Sequence, residues 1–159
     1  MKKLGILLSS ILILIILTGC ETKTKISNTR WVLLNDESEV VFTDKRINWY
    51  KSSDDHSDNV KSGTYKFYIG ESASNYIVNQ LSEYGVTREK LDAFFSSTED
   101  YLEDDFIVVD INYDKVIYEG EETELVNPHA PWYGFLLQND TKLEVVNMNT
   151  GSKYTLIKQ

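Results

Sequence analysis

Hydrophobic and polar positions change rhythm several times along this chain. Residues 4–17, Leu4 to Leu17, form one apolar run. Beyond it come short runs rich in β-branched and aromatic residues, Trp31–Leu34, Glu39–Thr43, Arg46–Lys51 and Gly63–Gly70, separated by polar turns. That composition predicts strands. In Gly63–Gly70 the alternation places Tyr65, Phe67 and Ile69 on one face and Thr64, Lys66 and Tyr68 on the other. The period then lengthens: Ala73, Tyr76, Ile77, Leu81 and Tyr84 recur at the three-to-four spacing of a helix stripe. Glu71 and Ser72 suit its start and Gly85 a left-handed residue after its end. Thr87 suits the N-cap of a second helix on which Leu91, Phe94 and Phe95 share a face. Strand-like runs resume at Phe106–Ile111, Lys115–Tyr118, Trp132–Leu137, Leu143–Asn147 and Tyr154–Lys158, the last two joined across the turn Asn149–Ser152.

This order predicts a mainly β domain. Eight to nine short antiparallel strands form a small barrel or strongly curved sheet, with a two-helix insertion around residues 71–97. The alternative is an α+β layer, with the helices on an open antiparallel sheet. An eight-stranded meander with an early tryptophan resembles the lipocalin-like barrels, and the resemblance implies a closed barrel with a ligand cavity. Thr29 stands two residues before Trp31, where lipocalins carry glycine, and their helix is C-terminal instead of mid-sheet.

Lys2 and Lys3 precede the apolar run, and Leu17-Thr18-Gly19-Cys20 closes it. A positive start, an apolar centre and a small-residue exit are the parts of a secretory signal. As a helix the run spans about 21 Å at roughly 1.5 Å per residue, short of a bilayer core of about 30 Å. The four closing residues resemble the lipobox of bacterial lipoproteins. The resemblance implies that Cys20 receives a diacylglycerol, that the bond before it is cut, and that the protein is held on the outer face of the cell membrane. Two acyl chains at about 0.8 kcal/mol per buried methylene make such an anchor lasting. The expected organisation is a signal peptide at 1–19, the lipidated cysteine and a polar tether at 20–28, and one extracytoplasmic domain at 29–159.

Charge and composition narrow the function classes. The full chain carries −9, and loss of Lys2 and Lys3 takes the mature form to −11. Nucleic acid, whose phosphates need clustered Lys and Arg, is therefore not an expected partner. The only cysteine is Cys20, so a lipidated chain keeps no thiol for a disulfide, a nucleophile or a metal.

Candidate chemistry is sparse. Asp54, His56 and Asp58 alternate like the opening of a calcium loop, which makes Asp54 and Asp58 the metal candidates. Asn59 and Tyr65 stand where that loop needs Gly and a bidentate Glu, so a solvated tip is the plainer reading. Two more acidic groups, Glu99–Asp105 and Glu119–Glu124, lack fixed ligand spacing and read as solvated. Neither histidine, His56 or His129, sits in a catalytic motif, and no cofactor is expected. The aromatics carry more signal, with three Trp, ten Tyr and six Phe. Trp49 and Tyr50 flank one loop and Trp132 and Tyr133 follow another, so these four are the candidate ligand-binding residues at a barrel mouth.

The expectation is a non-enzymatic lipoprotein, tethered by diacylglycerol on Cys20, that binds a small or apolar ligand, a sugar or a peptide. The alternative is a protein–protein role, such as toxin sequestration or envelope assembly, without a ligand pocket.

Overall fold

The computed structural model describes residues 25–159, so the expected signal segment and Cys20 lie outside the described residues. The strands are β1 Thr29–Leu33, β2 Glu39–Phe42, β3 Arg46–Tyr50, β4 Val60–Ile69, β5 Phe106–Tyr118, β6 Glu121–Thr123, β7 Trp132–Leu137, β8 Lys142–Asn147 and β9 Lys153–Lys158. Helices α1, Glu71–Leu81, and α2, Arg88–Ser96, lie between β4 and β5. Eight strands pair antiparallel with their neighbours in chain order, and β9 returns to β1, so the sheet closes on itself. The long seam is β4 against β5, from Val60↔Ile117 to Ile69↔Ile107. The protein is a mainly β, up-and-down barrel of eight strands, with β6 added as a flap beside the end of β5.

Two runs expected as separate strands, Phe106–Ile111 and Lys115–Tyr118, are halves of one strand. The polar residues between them belong to a bulge: Ser62 pairs with Lys115 but Gly63 pairs with Tyr113, which leaves Asp114 over. A bulge raises local twist and bends the strand, as a closing barrel requires. The backbones also approach closely there. A Cβ on Gly63 would collide with the Asn112 carbonyl, and one on Gly134 would collide with the Glu144 carbonyl across the sheet. The acidic stretch expected as a loop contributes β6, whose outer edge has no strand beside it among the described residues. Its run of glutamates blunts that edge against pairing with another chain.

Alternation fills the barrel. Trp31, Val40, Phe42, Ile47, Ile107, Val109, Ile111, Leu136, Leu143 and Leu156 point inward and are buried, with Tyr65, Phe67 and Ile69 packed against them. Ile26, assigned by sequence to the tether at 20–28, is fully buried and caps this core from one end. Lys25 pairs with Asp140 at 3.2 Å, and Ser27 and Asn28 both donate to Asp44. The ordered domain thus takes in residues that polarity alone placed outside it, because one isoleucine among polar neighbours is enough to plug a small barrel.

The helices cover the outer wall. Phe106 and Val108, the outward residues of β5, meet Ala73 and Ile77 of α1, with Leu91 and Phe95 of α2 alongside. Thr87 caps α2 by accepting from the Lys90 amide, and Gly85 is left-handed at φ 77°. Tyr84, expected on the helix stripe, is exposed. The helix tightens into a 3₁₀ turn at Ser82–Tyr84, and the change of pitch swings that side chain off the buried face. Among the described residues no helix is long and apolar enough to cross a membrane.

Candidate functional site

Up-and-down topology sends alternate turns to opposite ends. The β2–β3 turn, the β7–β8 turn and the N-terminal residues gather at the end plugged by Ile26, where Lys25 and Asn28 are tied to Asp140 and Asp44. The β1–β2 turn, the β3–β4 loop, the β6–β7 loop and the β8–β9 turn gather at the other end. That end holds a cleft of about 660 Å³, within the range of roughly 300–1,000 Å³ common for small-molecule sites.

Four rings define the inner part of this cleft. Trp49 sits edge-on to Trp132 at 5.4 Å and to Tyr154 at 4.9 Å, and Tyr113 lines the same space. Val116, Ile117, Leu125 and Val126 extend an apolar wall outward, and Lys51 and Lys61 stand on the rim. Below the rings lies the buried core of the barrel.

One donor among the rings has no acceptor among the described residues. Trp132 is 1% exposed, and its indole Nε1 is buried without a hydrogen-bond partner among the described residues. Tyr113, 9% exposed, lines the same space. Burial, and then the neighbouring Tyr154, push the Tyr113 phenol well above its ordinary range, so it stays protonated and a donor. Leaving a buried N–H unpaired costs about 1–3 kcal/mol, which is why such groups are uncommon in packed interiors.

Of the four rings named from sequence, Trp49 and Trp132 line the cleft and Tyr50 and Tyr133 do not. Each pair is adjacent on a strand, so the pleat turns one member inward and the other outward. Tyr133 packs on the outer wall among the helix residues. Tyr50 stacks face to face on His56 at 3.8 Å, outside the barrel. The two rings that replace them, Tyr113 and Tyr154, went unnamed because Tyr113 falls where the two β5 runs looked separate. The alternation Ile107, Val109, Ile111, Tyr113 is the signal that finds it.

The outer wall beside the cleft carries a polar cluster. Glu39 is 1% exposed. Arg30 grips it through Nε and through Nη2 at 2.9 Å, and His56 Nε2 reaches it at 2.8 Å. The β3–β4 loop is thereby clamped to the barrel, helped by the Ser53 amide on the Glu37 carbonyl. The metal candidates lie in this loop. Asp55 is spent on the amide and hydroxyl of Ser57, which with the backbone bonds holds it below the usual carboxylate range, and Asp58 accepts from Ser57 at 3.2 Å. Among the described residues no three His, Cys, Asp or Glu side chains converge as a metal site.

His129 pairs with Asp110 at 2.6 Å, and Tyr76 of α1 shares that carboxylate. Burial first, then Asp110, push the Tyr76 phenol up to about 12. His129, like His56, lies outside the cleft lining.

The fold and the mouth cleft define a class, the small closed up-and-down β-barrel with a site at one end. No protein-family model matches the chain, and no curated protein or solved structure matches it either.

Proposed function

We propose that this protein is a membrane-anchored lipoprotein whose barrel is an extracytoplasmic binding module for a small, largely apolar molecule. The observation that carries the reading is the aromatic cleft at the barrel mouth, large enough for such a guest and walled by Trp49, Trp132, Tyr113 and Tyr154. Diacylglycerol on Cys20 would leave a tether of a few residues before Lys25, and roughly 3.4 Å per residue keeps the plugged end of the barrel against the membrane. The cleft then opens away from the lipid, toward solutes of the envelope space. Neither histidine lines the cleft, which supports a binding role for it over a catalytic one.

Titration of the full chain with N-phenyl-1-naphthylamine, an uncharged apolar probe, tests the site. Saturable binding that is lost in Val116→Asp is expected, and a non-saturable response in the wild type overturns the reading. Cys20→Ala tests the anchor: release from the membrane fraction is expected, and unchanged attachment overturns it.

A protein–protein role has one observation in its favour. Leu91, Phe94, Phe95 and Phe135 border a second apolar groove on the outer wall, and Phe94 is 44% exposed there. Loss of a co-purifying partner in Phe94→Asp, with probe binding intact, would assign the activity to that groove.

A further inference from the structure

The charges at the rim of the cleft say more about the guest than its shape does, and this step rests on the binding role proposed above. We infer that the guest is an amphiphile: its apolar body lies against Trp49, Tyr154 and Val116, and a single anionic head is held by the ammonium groups of Lys51 and Lys61.

The pleat puts both lysines on the cleft side of the sheet. Lys61 lies directly opposite Trp49 of β3 and Val116 of β5, and residues directly opposite one another share a face. Lys51 follows Trp49 by two positions, and its amide extends the ladder by donating to the Asn59 carbonyl, so alternation carries it to the same face. Deeper in the barrel this face of β3 and β4 bears Ile47, Tyr65, Phe67 and Ile69, and it turns cationic where the cleft opens. Both lysines are exposed there. Among the described residues the lysine ion pairs are Lys25–Asp140, Lys115–Glu122 and Lys142–Glu144, so a carboxylate contact neutralises neither Lys51 nor Lys61. Asp36 acts on Lys51 through space, but its carboxylate already accepts from the amide and hydroxyl of Ser38. The cleft lining holds these two cations against one anion, Glu124, a local sign opposite to the −9 of the chain. An anionic head at the rim stays within reach of water and avoids the desolvation cost it would meet in an apolar interior. A neutral apolar molecule would cover the walls and leave both ammonium groups without a counter-charge. Exposed charge pairing of this kind corresponds to about fivefold in affinity at low salt.

The test uses the full chain in nanodiscs of zwitterionic lipid, with empty nanodiscs as the partition reference, and two fluorescent probes of one skeleton. N-phenyl-1-naphthylamine is uncharged, and 8-anilino-1-naphthalenesulfonate adds a single sulfonate. Titration should show the sulfonate binding about fivefold tighter at low salt. The double variant Lys51→Gln, Lys61→Gln should erase that preference while keeping the affinity for the uncharged probe. Lys45→Gln, which removes an exposed lysine from the β2–β3 turn at the sealed end, should leave the preference intact. In the wild type, raising sodium chloride from about 0.02 M to about 0.5 M should shrink the preference by screening, a readout that needs no variant. Equal affinities in the wild type, a preference that survives the double variant, or an equal loss in Lys45→Gln overturns the anionic head and leaves the cleft reading standing. A non-saturable response to both probes overturns the cleft reading itself, and the inference with it.

Discussion

Trp31 and Trp132 are the same residue, both facing the barrel interior and both essentially inaccessible, at 0% and 1% exposure. Their indole nitrogens meet opposite fates. Trp31 Nε1 donates to the Thr29 hydroxyl at 2.7 Å, and that hydroxyl in turn donates to the Ile26 carbonyl. Lys158 lies over the Trp31 ring at 5.8 Å. Trp132 Nε1 has no acceptor among the described residues, and its ring borders the cleft. The difference separates a sealed end, where the buried indole is paired, from an open end, where the buried indole is unpaired among the described residues. Hydrophobic burial alone does not distinguish them. The polar accounting does.

The largest effect should come from truncation at the sealed end. Trp31→Ala removes a fully packed side chain and should cost about 3–5 kcal/mol, read as a collapse of the urea midpoint. Trp132→Ala should cost clearly less, because one side of that ring already borders a void. Equal costs would erase the contrast between the ends.

A conservative pair sharpens the same comparison. Trp31→Phe removes the bond that the Thr29 hydroxyl accepts, while that hydroxyl keeps its own bond to the Ile26 carbonyl, and should cost about 0.5–1.5 kcal/mol beyond the lost contacts. Trp132→Phe removes an orphan donor, so the relief offsets part of the lost packing. Urea unfolding of the two variants should give the larger loss at Trp31, and the reverse order would show that Trp132 is satisfied in solution.

The clamp beside the open end comes next. Arg30→Ala leaves Glu39 buried beneath His56 with one partner fewer and should lower the urea midpoint, by an amount held down by the exposure of Arg30. Hydrogen exchange should speed up in residues 51–59 more than in β7 or β8. Uniform acceleration would mean the clamp serves the barrel and not the mouth loop.

The smallest effect is electrostatic and lies at the sealed end. Arg46 grips Asp114 at 2.6 and 2.9 Å, and the hydrogen bond, more than the charge, holds the Asp114 carboxyl below its ordinary value. A carboxyl lowered in the folded state contributes stability above its unfolded pKa, near 3.8, and loses it as pH falls through the lower folded value. Both side chains are about half exposed, so the pair is worth less than about 1 kcal/mol. Asp114→Asn should make the urea midpoint fall less steeply below pH 4 while changing little at pH 7. An unaltered acid limb would show that the pair is not formed in solution.

Much of the barrel was legible because each strand announces itself locally. Tyr65, Phe67 and Ile69 alternate, Ala73 and Ile77 keep helical spacing, and Thr87 and Gly85 mark helix ends by their own conformational preferences. The continuity of β5 was not legible, since a bulge reads locally as a break. Neither was the plug at Ile26, whose burial depends on where a closed ring of strands leaves a hole. The cleft was half legible. Adjacent aromatics at 49–50 and 132–133 pointed to the mouth, and the pleat had to decide which of each pair enters.

The sequence by itself determined the strands, the helical pair, the order of the meander and the lipobox-like exit at Cys20, because each of these depends on residues a few positions apart. The tertiary structure alone decided that the sheet closes, that one end is sealed and the other open, and that Trp132 rather than Trp31 lacks a partner. Those outcomes depend on contacts between residues far apart in the chain, such as Ile26 against the barrel floor and Tyr154 against Trp49.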